Sequence, residues 1–223
     1  MKTKNLFHEL LIIAFAMIPL IYLAAVWHLL PSNVPIHYDY KGEADRYDSK
    51  STMATLVILM NLCVYFIMRY APVIDPKKRF DQFMQTYKKL RLIIAILISG
   101  ICCFMIYSGL NRSNENMGTF LFPFICILFV LLGNYMSTIR PNYFIGVRTP
   151  WTLENEIIWK KTHELTGKLW FWSGLVAFII MLIIPKETKP FMLVGFIVID
   201  VLIPVIYSYL LYRRIANETV KSS

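Results

Sequence analysis

Six long apolar blocks dominate this sequence and leave few folds open to it. Leu10–Trp27 holds no Asp, Glu, Lys or Arg over 18 positions. Ser51–Met68 does the same over 18, Leu92–Asn111 over 20 and Asn116–Ile139 over 24. Leu169–Pro185 is the shortest at 17, and Pro190–Tyr212 covers 23 with one acid, Asp200, near its middle. A bilayer core takes about 20 mostly apolar residues per helix. The chain is 57% hydrophobic and only 17% charged, so a water-soluble fold would have to bury all six helices at once. The expected fold is therefore an all-α membrane protein. It is a bundle of six transmembrane helices forming a single integral membrane domain over residues 1–223.

Lys2 and Lys4 precede the first block, as in a signal peptide. The apolar core is longer than the usual 7–15 residues or so, and no small-x-small site follows, so a retained anchor is expected. The net charge of +9 is spread unevenly. With the N-terminus inside, 17 of the 23 Lys and Arg fall on inner segments. That asymmetry predicts a multi-pass protein with both termini cytoplasmic. The Pro76-Lys77-Lys78-Arg79 run then reads as a topology and headgroup signal, and no direct nucleic-acid binding is expected. The second half of that inner segment spaces Phe80, Phe83, Met84 and Tyr87 like one face of a helix, which either lies in the interface or extends the third span into solvent.

Two polar intervals stand out. Residues 31–50, PSNVPIHYDYKGEADRYDSK, alternate Val34, Ile36, Tyr38 and Tyr40 with Pro35, His37 and Asp39. This is a period-two pattern followed by a Lys41-Gly42 turn, which predicts a small extracytoplasmic element of short β-strands. It holds Asp39, Glu43, Asp45 and Asp48, and it is read as a cap on the outer mouth of the bundle. Residues 140–168, RPNYFIGVRTPWTLENEIIWKKTHELTGK, form the longest polar stretch. Pro141, Gly146 and Pro150 shape its first half. TLENEIIWKKTHEL predicts a short cytoplasmic helix capped by Thr152, with Glu156, Lys160 and Glu164 as a charged stripe. Trp151 and Trp159 suit a boundary that is apolar at one end and wet at the other.

Asp200 is an intramembrane acid, and Asn61 in the second span is a candidate partner for it. All four cysteines, Cys63, Cys102, Cys103 and Cys126, fall in spans, so no disulfide framework or zinc site is expected. No phosphate loop, dinucleotide fingerprint or nucleophile elbow is present. His163-Glu164 fails the zinc-protease pattern because Gly167 stands where the second His belongs. The reading is non-enzymatic, with no cofactor, no metal and no catalytic residue. A second reading is a small-molecule or ion transporter, or a membrane enzyme, built on Asp200 and the Arg140/Arg148 pair.

Both polar intervals resemble the SdpI family of bacterial membrane immunity proteins. In the outer interval the resemblance rests on Leu30, Pro31, Val34, Pro35, His37, Gly42, Asp45, Tyr47, Ser49 and Lys50. In the inner one it rests on Arg140, Pro141, Asn142, Gly146, Arg148, Thr149, Trp151, Thr152, Leu153, Trp159, His163 and Gly167. The resemblance implies a protein of the bacterial cell membrane that protects its producer from a secreted membrane-active toxin peptide. In the best-known member this extends to signalling, by holding a small cytoplasmic transcriptional repressor at the membrane. The expected partners are then the lipid bilayer, the toxin outside and the repressor inside. The outer residues Pro35, His37, Asp39, Gly42, Asp45, Tyr47, Ser49 and Lys50 become ligand- or partner-binding candidates. The inner set, from Arg140 to Gly167, becomes a functional signature.

Overall fold

Each of the six long helices carries more apolar surface than its neighbours cover, and that decides the environment of the fold. The computed structural model describes residues 2–111 and 117–222, with side chains from residue 6 to 218 outside that gap. Six helices are long and apolar enough to cross a membrane, and only 17–33% of the most apolar window in each is buried. Ile21, Ile67, Val176, Leu182 and Val194 all stand exposed. Lipid satisfies such faces and water does not. The chain is a six-span membrane protein. The short connection expected at Arg112 to Gly118 lies, for residues 112–116, outside the described residues.

The element order is α1 (Lys2–Val26), β1 (Asn33–Tyr38), β2 (Ala44–Ser49), α2 (Lys50–Ile74), α3 (Met84–Asn111), α4 (Met117–Met136), α5 (Pro150–Glu154), α6 (Glu156–Ile183) and α7 (Lys189–Ser222). The first three long helices pack together under the β1–β2 hairpin, around Leu23, Val34, Met53, Val57 and Ile106. Helices α4, α6 and α7 form a second group around Phe122, Cys126, Ala177 and Met181. A third core, at the end opposite the hairpin, joins the two groups through Phe80, Tyr87, Met136, Ile139 and Trp159.

Helix α4 runs close against α6 because glycines face one another. A Cβ on Gly133 would lie 2.7 Å from the Phe171 nitrogen, and one on Gly167 would lie 2.9 Å from the Gly133 carbonyl oxygen. Such contacts admit only hydrogen, the small-residue packing that lets backbones meet in lipid.

Five sequence expectations need correction. Thr152 is not an N-cap: Thr149 caps α5, and Thr152 is the reciprocal member of its capping box. Pro150 at the first helical position explains the earlier start, since its missing N–H is one the helix leaves unpaired anyway. The single short helix is in fact two, because Asn155 breaks the run and caps α6 by accepting from Ile157 and Ile158. Helix α6 then continues without interruption into the fifth apolar block, so the short helix expected before Leu169 and the span expected after it are one helix, Glu156–Ile183. Finally, Phe80, Phe83 and Tyr87 face neither lipid nor water. They are 1–4% exposed, inside the core that joins the two helix groups, and Trp159, 2% exposed, is buried with them and is no interface anchor.

Candidate functional site

The inner interval is a folded platform, built outward from Asn142. Its side chain is fully buried. It accepts from Phe144 and Ile145 N–H at 2.8 Å each, and donates to the Arg140 and Ile145 carbonyls at 2.8 and 3.1 Å. All four local bonds together close the turn after Pro141, the local backbone capture for which Asn is suited. Gly146 follows at φ 112°, and a Cβ there would stand 2.2 Å from His163 Nε2. His163, fully buried on α6, accepts the Val147 N–H at Nε2 (3.1 Å). Its Nδ1 therefore carries the proton that it donates to the Trp159 carbonyl at 2.8 Å. The imidazole stacks on the Trp159 ring with centroids 4.0 Å apart, and Trp159 Nε1 donates to the Ile139 carbonyl at 2.7 Å. Thr152, also fully buried, donates toward the Val147 carbonyl (2.9 Å) and accepts from Thr149 N–H (2.9 Å).

This platform is fastened to the rest of the molecule at four places. Asp75, at the end of α2 and 1% exposed, accepts the Tyr143 N–H at 2.9 Å. Lys77 donates to the Leu153 carbonyl at 2.9 Å, and Arg79 pairs with Glu156. Trp151 donates to Ser208 Oγ at 2.8 Å and packs on Tyr209 and Tyr212 of α7. Sequence reasoning missed Asp75. Its partner lies 68 residues away, and only the following Pro76, which holds Asp75 extended, marks the position.

Of the signature residues, Asn142, Gly146, Thr152, Trp159 and His163 hold the platform together, while Gly167 packs α6 against α4. Arg140 and Arg148 are exposed. Arg148 donates to the Tyr143 carbonyl, while Arg140 lines a cavity of 450 Å³ together with Arg79, Glu156, Lys160 and Glu164. The expected stripe of Glu156, Lys160 and Glu164 lies on the exposed face of α6.

At the opposite end the predicted hairpin forms, antiparallel, with Asn33 opposite Ser49 and Pro35 opposite Tyr47. Its register slips around His37, beside Pro35, which offers no N–H to the ladder. Asp39 accepts from Lys41 and Glu43 N–H at 2.9 Å each, and Gly42 takes the positive φ of 81° that the turn requires. His37 and Asp45 meet at 2.6 Å, both exposed. Ser49 caps α2 by accepting from Thr52 N–H, and Lys50 reaches back to the Trp27 carbonyl at 3.1 Å and lies over its ring. Val34 and Pro35 face inward, whereas Tyr40 and Tyr47 stand outward, 64% and 55% exposed. Burial pushes the Tyr38 phenol above its ordinary range. The hairpin residues thus split into a turn-forming set (Asp39, Gly42), a bundle-anchoring set (Pro35, Ser49, Lys50) and an outward face (His37, Asp45, Tyr47).

Asp200 is fully buried on α7 and takes both its carboxylate contacts from Ser173 Oγ, at 2.9 Å each; Trp170 donates to its backbone carbonyl. Asn61 is not its partner: that amide donates to the Val57 carbonyl one turn back and contacts Cys102. Among the described residues no group of three or more His, Cys, Asp and Glu gathers where it could hold a metal ion.

Residues 138–208 match the SdpI/YfhL protein family, which takes in most of the platform, α6 and much of α7. Residues 14–61 match a domain of unknown function, DUF1648, which takes in most of α1, the hairpin and the first half of α2. The two matches fall on the two helix groups. Over 208 residues the chain is 22% identical to a protein of Bacillus subtilis (strain 168) described as immunity protein SdpI, covering 92% of this chain and 96% of that one. No solved structure matches.

Proposed function

We propose, on the premise that this is an SdpI-family membrane protein, that it protects its cell from a secreted membrane-active peptide, with the hairpin as the receiving surface. One observation carries the reading: a near full-length relative is an immunity protein, and the likeness spans both polar elements. The outward hairpin face supports it. Tyr40, Tyr47, His37 and Asp45 present aromatic and acidic groups clear of the bundle. Exposed charges of this kind steer and select a cationic partner more than they hold it. In this reading the hairpin faces outward and both termini lie in the cytoplasm, in line with the distribution of Lys and Arg.

The platform would then be the cytoplasmic surface. Its exposed Arg140, Lys160, Lys161 and Glu164 offer a docking face for a small repressor, the finer half of the proposal. Expression in a peptide-sensitive cell is expected to raise survival at a given peptide dose. Survival unchanged against every related peptide tried would refute the immunity reading. An amine label that reaches Lys161 from outside intact cells but misses Lys41 would invert the orientation.

A further inference from the structure

We propose that the groove between the first residues of α1, the end of α2 and the start of α3 is a binding site for the headgroup of an anionic phospholipid. The groove encloses 1,290 Å³ and reaches Arg140 at the far end. On its wall Arg91, only 7% exposed, makes a two-pronged pair with Glu9 at 2.8 and 3.0 Å. Tyr65 also donates to Glu9, at 2.8 Å, so this carboxylate is satisfied from within the protein. The Arg91 Nε, by contrast, is buried with no partner. Arg69 stands 3.7 Å from Glu9 and is half exposed, beyond hydrogen-bond distance of that carboxylate. Among the described residues the groove is lined by three arginines, Arg69, Arg91 and Arg140, against two acids, Glu9 and Asp81. An anion is the complement.

The rim selects the source of that anion. Leu6 and Val73 line the same groove and are 61% and 75% exposed. A ligand with a charged head and an alkyl tail satisfies both surfaces, whereas a free phosphate satisfies one. Basic side chains at a membrane surface each contribute about 1 kcal/mol toward anionic lipid.

Native mass spectrometry on the full chain, released from detergent in the presence of phosphatidylglycerol, phosphatidylcholine or inorganic phosphate, tests this. Retained phosphatidylglycerol in excess over phosphatidylcholine is expected. Arg69→Gln and Arg140→Gln are each expected to lower retention roughly fivefold, while Lys186→Gln, at the hairpin end, leaves it unchanged. Arg69 and Arg140 are both exposed, and equal melting temperatures of the variants would show that the fold is kept. Equal retention of phosphatidylcholine would overturn the proposal. So would displacement of the lipid by inorganic phosphate, which would mark a free-anion site, or an equal loss in the Lys186 variant, which would mark diffuse attraction.

Discussion

Gly146 sits where two constraints meet. Its φ of 112° strains any side chain, and the space a Cβ needs is occupied by His163 Nε2. Gly146→Ala is therefore expected to lose about 2–4 kcal/mol, from backbone strain and overpacking together. Melting in detergent, followed by exposure of the buried thiols Cys102 and Cys126, reads that loss. Gly195→Ala is the control, because a Cβ there meets nothing within 4 Å. Asp75 separates charge from hydrogen bonding. Asp75→Asn keeps an acceptor for the Tyr143 N–H, whereas Asp75→Ala leaves that donor unpaired at a cost of about 1–3 kcal/mol. Hydrogen exchange at Tyr143 should quicken in the alanine variant and change little in the asparagine one. Gly146 was legible as a turn residue from its neighbours Pro141 and Pro150. Asp75 was not, since nothing local announces a partner on a distant loop.

Among elements, the α4–α6 crossing is the least tolerant. Gly167→Ala places a methyl 2.9 Å from a backbone oxygen, which cannot step aside. Gly109→Ala meets only side-chain atoms of Val34, Leu30 and Met53, at 3.3–3.5 Å, which can shift. The first is expected to lower the melting temperature markedly and the second only slightly, in the same thiol-exposure assay. The spans were legible because hydropathy needs no knowledge of a partner. The hairpin was legible because its alternation and its Lys41-Gly42 turn are both local. The division into α5 and α6 was not, because it turns on two competing caps, Thr149 and Asn155, that differ only in how each meets the following backbone. Phe80, Phe83 and Tyr87 had the right spacing for a helix face, but spacing does not say whether lipid or protein covers that face.

For the whole molecule, Asp200 decides between readings. Its contacts are made within the α6–α7 pair, to Ser173 and Trp170, and involve neither Arg140 nor Arg148. A transport or catalytic role would need the acid itself. A packing role needs only its hydrogen bonds, which an amide can supply. Asp200→Asn is expected to insert normally and to leave peptide tolerance at the wild-type level in the survival assay.

Helix α4 begins where its Met117 N–H meets the Gly42 carbonyl at the hairpin tip, at 2.7 Å, and the chain just past its end carries the Ile139 carbonyl that Trp159 grips. Its 20 residues make a rod of about 30 Å. Pressed backbone to backbone against α6, that rod has little soft material in which a displacement could dissipate. The loop tip and the far surface are thereby held one helix length apart, bound at either end to a main-chain carbonyl.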